Sequence, residues 1–191
     1  MYNKVNPEQL LSEMKRHIST AGNENPALYV TTYHKYAAGL DNGMWVDLTT
    51  FDGYDDFVDF CRLLHHDEAD PEFMFPDYEN MPKELYRESL SRSHWEQKMQ
   101  PYLELDSEGR QIADAYIELN GFWYGMDLKK ALADCMGKFD DEEDFARWEI
   151  EECHPGELNG IAEGYFDYAK YARDLFMTDF SFQDGFVFYN R

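Results

Sequence analysis

Positive charge is scarce in this chain. Lys and Arg number 17 against 39 Asp and Glu in 191 residues, a formal net charge of −22. A surface with so little base repels nucleic acid and membrane headgroups and attracts proteins with basic clefts. Cysteine is scarce too: Cys61, Cys135 and Cys153 are widely spaced and odd in number, which argues against a disulfide framework and for a reducing, cytoplasmic setting. There is no run of eighteen apolar residues, so no transmembrane helix is expected. The polar start, residues 1–6, is not expected to be a signal peptide. A phosphate loop, a Gly-rich dinucleotide turn and a nucleophile elbow are all missing, and no cofactor is expected.

Aromatic residues are plentiful: 14 Tyr, 14 Phe and 4 Trp make up 17% of the chain. Disorder needs few aromatics and low hydrophobicity, so the chain folds and carries an anionic skin. The acid is blocked rather than uniform. Residues 52–88 hold twelve acids and three bases, and residues 127–157 hold eleven and four; residues 1–40 and 158–191 are near neutral. Uniform solvation of a halophilic kind does not predict blocks. Duplex DNA carries one charge per ~1.7 Å, so two copies of this chain match the charge of roughly 22 base pairs.

The patterning predicts an α+β fold of small modules in series. Asn6-Pro7-Glu8-Gln9 reads as a cap, a first-turn proline and a capping-box Gln, opening a helix striped by Leu10, Leu11, Met14 and Ile18 that looks like an appendage. Residues 27–33 and 44–49 read as strands around the turn signal Asp41-Asn42-Gly43. A helix over 54–65 places Phe57, Phe60, Cys61 and Leu64 on one face and Asp55, Asp56 and Asp59 on the other. A short strand is expected over 73–75. Helices are expected over 82–88, 94–99, 106–119 (Ile112, Ala115, Tyr116 and Leu119 inward), 128–135 and 142–152. A last helix over 167–177 buries Tyr168, Tyr171, Ala172 and Leu175, and Asp184-Gly185 closes a hairpin between 180–182 and 186–189.

Catalytic and metal signals are weak. Cys61 and His65 are four apart on a helix, but Cys61 fits the apolar stripe and no second pair has zinc spacing. Asp140 to Asp144 lacks the alternation and mid-loop Gly of a calcium loop. Cys153-His154 reads as a helix terminus, with a Cys–His nucleophile as the alternative.

Three ordered segments carry a resemblance. The first is Tyr29-Val30-Thr31-Thr32-Tyr33-His34-Lys35-Tyr36, then Gly43, Trp45, Asp47-Leu48 and Phe57. The second is Leu64-His65, Asp67-Glu68, Asp70-Pro71-Glu72, Met74-Phe75 and Asp77-Tyr78-Glu79. The third is Tyr165-Phe166-Asp167-Tyr168, Tyr171-Ala172-Arg173-Asp174-Leu175-Phe176, Asp184-Gly185 and Val187-Phe188. From about Ala27 onward the chain resembles the ArdA family of antirestriction proteins, carried by plasmids and conjugative transposons. Residues 1–26 lie outside the pattern. Pro76 stands where a polar residue is expected, a change that stiffens the loop without altering its charge.

The resemblance implies an elongated, non-enzymatic homodimer whose acids imitate DNA phosphates in the DNA-binding groove of type I restriction–modification enzymes. It implies three modules, drawn here as 27–80, a helical 81–120 and 121–191, after an N-terminal extension over 1–26, with the dimer formed by the last. The candidate phosphate mimics are Asp55, Asp56, Asp59, Asp67, Glu68, Asp70, Glu72, Asp77, Glu79, Glu84 and Glu88. A second group is Asp140, Asp141, Glu142, Glu143, Asp144, Glu149, Glu151 and Glu152. Candidate dimer contacts are Tyr165, Phe166, Phe180, Phe182, Phe186 and Phe188. Two other readings of the charge stand beside this one: an acidic chaperone or adaptor that shields basic nucleic-acid-binding proteins, and a small hydrolase using an acid pair or Cys153-His154.

Overall fold

In the computed structural model, residues 6–40, 42–122, 126–158, 160 and 162–190 are described, without the side chains of residues 7 and 9. The chain divides into two compact units, Met1–Arg110 and Gln111–Arg191.

In the first unit, β1 (Ala27–Thr32) is the central strand. β2 (Met44–Asp47) pairs antiparallel along one edge, with Ala27 opposite Asp47 and Val30 opposite Met44. The other edge is shared by β3 (Phe73–Met74) and β4 (Tyr78–Glu79), both antiparallel to β1. The Tyr29 amide bonds the Asp77 carbonyl at 3.0 Å, keeping the ladder closed between them. Gly43 lies under the Tyr29 ring, where a Cβ would stand 2.3 Å from a ring carbon. The turn signal preceding it begins at residue 41, which lies outside the described residues.

Helix α1 (Pro7–His17) is capped by Asn6, whose side chain accepts from the Glu8 amide at 3.0 Å. Gln9, the expected partner in a capping box, has a side chain outside the described set. The expected stripe is not what seats this helix, since Leu11 and Ile18 are about half exposed. His17 seats it: the ring stacks on Phe51 at 4.2 Å, and Nδ1 meets Thr50 Oγ1 at 2.7 Å. Helix α2 (Tyr33–Ala37) follows β1 directly, capped by Thr32. Helix α3 (Tyr54–Leu64) buries Phe57, Phe60 and Cys61, as its periodicity requires.

A helix was expected over 82–88, and the structure has only a turn there. Phe75 N bonds Glu88 O at 2.8 Å, and Tyr86 donates its hydroxyl to Phe75 O. The backbone is thus drawn to the sheet edge instead of into a helix. The next helix is longer than the expected 94–99. We label it α4, residues 92–103; it contains a π turn over Trp95–Met99. Pro101 explains the turn: it lacks an N–H and crowds the carbonyl four residues back. Widening the preceding turn relieves that clash, and Gln100 N bonds Trp95 O, five residues away. Trp95 stacks on Phe57 at 4.9 Å and anchors α4 to the core.

In the second unit, three antiparallel strands run in the order β5–β7–β6, where β5 is Cys135–Lys138, β6 Phe180–Gln183 and β7 Phe186–Tyr189. The β6–β7 hairpin matches expectation. Asp184 and Gly185 have φ of 51° and 83°, the two positive values a tight I′ turn demands. Cys135 is the last residue of the helix expected over 128–135, but it opens β5 instead; α6 (Leu128–Asp134) stops one residue before it, because Cys135 pairs with Phe188.

Pairing fixes the faces of this sheet. Phe180 lies opposite Tyr189 and Phe182 opposite Val187, which puts Phe186 and Phe188 on the reverse side. That reverse side packs on α5 (Ser107–Asn120) through Ile112, Ala115, Tyr116 and Leu119, the four residues expected to face inward. The front side packs on α7 (Glu142–Cys153) and α8 (Tyr168–Thr178): Phe145 lies 4.7 Å from Phe180 and 5.6 Å from Phe176. Phe186 and Phe188 are 5% and 1% exposed. They are therefore core residues, and this corrects their assignment as dimer contacts. Of α8's expected inner face, Ala172 is buried and Tyr168, Tyr171 and Leu175 are half-buried.

Candidate anionic interface

The acids take their places from the elements beneath them. On α3, burial of Phe57, Phe60 and Cys61 turns Asp55, Asp56 and Asp59 outward, all exposed. Asp55 is paired with Arg92 of α4, whose hydrogen bond holds its carboxyl below the usual range. Arg62 meets Asp59 at 2.8 Å.

The segment after α3 is held by a buried cation. Lys35 of α2 is 5% exposed. Its Nζ lies 2.7 Å from Asp67, 3.6 Å from Glu68 and 3.0 Å from His65 Nδ1. An ammonium only donates, so Nδ1 is the acceptor and the ring proton sits on Nε2. His65 is wholly buried; burial first, then the Lys35 charge, lower its pKa to about 4. The Lys35 hydrogen bond also holds the Asp67 carboxyl low. Glu68, half-buried, accepts from Thr32 Oγ1 at 2.7 Å. Beyond this node Asp70, Glu72, Asp77, Glu79, Glu84 and Glu88 are all exposed.

In the second unit the acidic run opens α7. Asp141 accepts from the Asp144 amide at 2.8 Å, and Asp144 from the Asp140 amide at 3.3 Å. Glu142, Glu143 and Asp144 occupy the first turn, where the helix dipole favours anions. Glu143 is half-buried and paired with Arg147. Glu149 points inward, accepting from Tyr171 at 2.7 Å and facing His154 Nε2 at 3.2 Å. Glu151 and Glu152 are exposed.

Of the named acids, then, Glu68, Glu143 and Glu149 are half-buried and the rest are exposed. All three accept hydrogen bonds from within the chain, Glu68 from Thr32, Glu143 from Arg147 and Glu149 from Tyr171. Lys35 and His65 were missed as site residues. His65 had a signal, since it continues the buried face of α3 one turn beyond Cys61.

The positions considered for chemistry have other roles. Burial pushes the Cys61 thiol up, which disfavours the thiolate a metal needs. His65 Nδ1 is occupied by Lys35. Both His154 nitrogens face carboxylates, Nδ1 meeting Glu157 at 3.4 Å and Nε2 meeting Glu149, and these raise its pKa. Neither nitrogen is turned to Cys153. Among the described residues no group of three His, Cys, Asp or Glu is set to hold a metal ion, and no helix is long and apolar enough to cross a membrane. A pocket of about 160 Å³ lined by Thr49, Phe51, Asp52, Trp95 and Glu104 is smaller than the ~300–1,000 Å³ of common ligand sites.

A comparison with curated proteins finds no match. The family model described as antirestriction protein (ArdA) matches residues 28–188. That match spans most of the chain and contains both acidic blocks, the Lys35 node and all but one residue at the edge of each sheet, so the chain belongs to the ArdA family of antirestriction proteins.

Proposed function

We propose that this protein inhibits type I restriction–modification enzymes without turnover, by occupying the groove that binds DNA. Its carboxylates stand where phosphates would and pair with the enzyme's Lys and Arg. Phosphate contacts supply position and much of the affinity without sequence information, so one inhibitor serves enzymes of different specificity. The observation that carries this reading is the mounting of the acids. Most are exposed, yet Asp55, Asp56 and Asp59 stand on α3 and Glu142, Asp144, Glu151 and Glu152 on α7, and Asp55 and Asp67 are held in place by Arg92 and Lys35. A shield for basic proteins needs charge but no such fixing. The engagement of His154 by two carboxylates speaks against a Cys153-His154 nucleophile.

Assembly as a homodimer through residues 121–191 belongs to the same proposal. Two bodies of net charge −22 associate where charge is low and apolar area is exposed. In the second unit Tyr165 is 87% exposed and Met177 73%, and Phe166, Phe180 and Phe182 are half-buried. Tyr165, Phe166, Phe180 and Phe182 remain from the sequence-based set once Phe186 and Phe188 are assigned to the core. The test of function is cleavage by a purified type I enzyme at increasing inhibitor. Inhibition should follow the molar ratio of protein to enzyme; full inhibition at trace amounts of protein would overturn the proposal.

A further inference from the structure

The first unit displays exposed tyrosine rings beside its carboxylates. The buried Lys35 pins α2 inward, and Tyr33 and Tyr36 of the same helix stand out, 39% and 57% exposed. Tyr33 N bonds the Glu72 carbonyl at 3.0 Å, and its hydroxyl donates to Glu88 at 3.1 Å. Tyr78 and Tyr86 stack with centroids 4.5 Å apart and planes 24° from parallel, both half-buried. The Tyr86 phenol is within Coulombic reach of Glu88, Asp77, Tyr78 and Tyr36, and Tyr33 within reach of Glu88, Glu72 and Tyr86. Four phenol rings and three carboxylates therefore share one face.

Pairing with ammonium groups needs anions only, and the fold does not need Tyr36, more than half of which is in water. What rings add beside carboxylates is visible elsewhere in the molecule. The Arg92 guanidinium lies 5.0 Å over the Tyr54 ring while it bonds Asp55. Arg147 lies 4.1 Å over the Tyr168 ring while it bonds Glu143. In both units an arginine is held between a tyrosine face and a carboxylate. The Tyr33–Tyr36–Tyr78–Tyr86 face has the same two components, and among the described residues no cation of the chain lies over these rings. Arg87, next to Tyr86, is turned to the carbonyls of Glu84 and Tyr86.

We propose that this face binds arginine side chains of the protein's target, a guanidinium stacking on a tyrosine ring while Glu72, Asp77 or Glu88 accepts its N–H groups. The proposal deepens the reading of the protein as an inhibitor that docks in a basic groove. It makes one part of the surface selective for arginine over lysine, because a planar guanidinium stacks on a ring and a compact ammonium does so less well. Tyrosine and arginine are also the residues that concentrate binding energy in interfaces.

The test uses the intact protein with nona-arginine and nona-lysine peptides as probes, binding being measured by fluorescence anisotropy over a range of salt. The wild type should bind the arginine peptide roughly two- to fivefold more tightly. Tyr36→Ala should reduce that preference without changing the slope of log affinity against log salt, since no charge is removed. Tyr36→Phe should keep the preference, and a Glu72→Gln, Asp77→Asn pair should flatten the slope. Equal binding of the two peptides by the wild type, or an undiminished preference in Tyr36→Ala, would overturn the proposal. The peptides report on the face without any restriction enzyme. If the arginine preference holds and inhibition fails, the inhibitor reading falls and the face stands; the reverse outcome removes the face alone.

Discussion

Replacing Lys35 with Met tests the node that fixes the 65–68 segment. Met approximates the length and volume of the side chain and removes its donors. Three groups lose a partner, and they lose unequally. Asp67 has a side chain 57% exposed, so water replaces the ammonium at little cost. Glu68 keeps its bond from Thr32 Oγ1. His65 has no exposure to water, so its Nδ1 becomes a buried acceptor without a donor, which costs about 1–3 kcal/mol. Removing a buried ammonium also relieves its desolvation penalty. The net destabilisation should therefore be about 2 kcal/mol, below the ~3–5 kcal/mol of breaking a fully buried pair. Urea unfolding reads this as a lower midpoint at constant slope. A second signature is independent of stability: with the Lys35 charge gone, the His65 titration followed by NMR should move upward from about 4. An unchanged urea midpoint together with an unchanged His65 titration would refute the node.

Three more outcomes follow from the same structure. His65 binds fewer protons folded than unfolded between pH 6.5 and about 4; its contribution is fully present above pH 6.5 and is lost as pH falls, by about 3 kcal/mol at pH 4, so unfolding midpoints should drop across that window and do so less in His65→Gln. Phe188→Ala should cost about 3–5 kcal/mol by emptying the core over α5, whereas Tyr165→Ala should leave monomer stability within about 0.5 kcal/mol and weaken the proposed dimer, as measured by sedimentation. Inhibition should fade as salt rises, over a screening length of ~8 Å at physiological strength; Asp56→Asn should change it by less than about fivefold, while neutralising the exposed acids of 52–88 together should abolish it.

The sequence revealed those parts of the fold whose pattern is local. The inward face of α3, the cap at Asn6, the four inner residues of α5 and the Asp184-Gly185 hairpin each depend on spacing within a few residues. What it hid depends on partners far along the chain. Cys135 reads as the end of the helix over 128–135, and only pairing with β7 makes it the start of a strand. Residues 82–88 have a helical opening in Pro82, yet the bond from Phe75 N to Glu88 O draws them to the sheet edge. Phe186 and Phe188 read as surplus aromatics because alternation along β7 gives no hint that both faces are covered by helices. In the candidate interface, exposure of the acids was legible from their density. The inward turn of Glu149, and a lysine buried to hold its neighbours, were not.

The central claim is most directly tested by equilibrium competition between this protein and a fluorescent duplex for one type I enzyme. The account predicts full displacement of the duplex, with an apparent inhibition constant that rises in proportion to the DNA present. A ternary complex, with the duplex still bound at saturating protein, would contradict it.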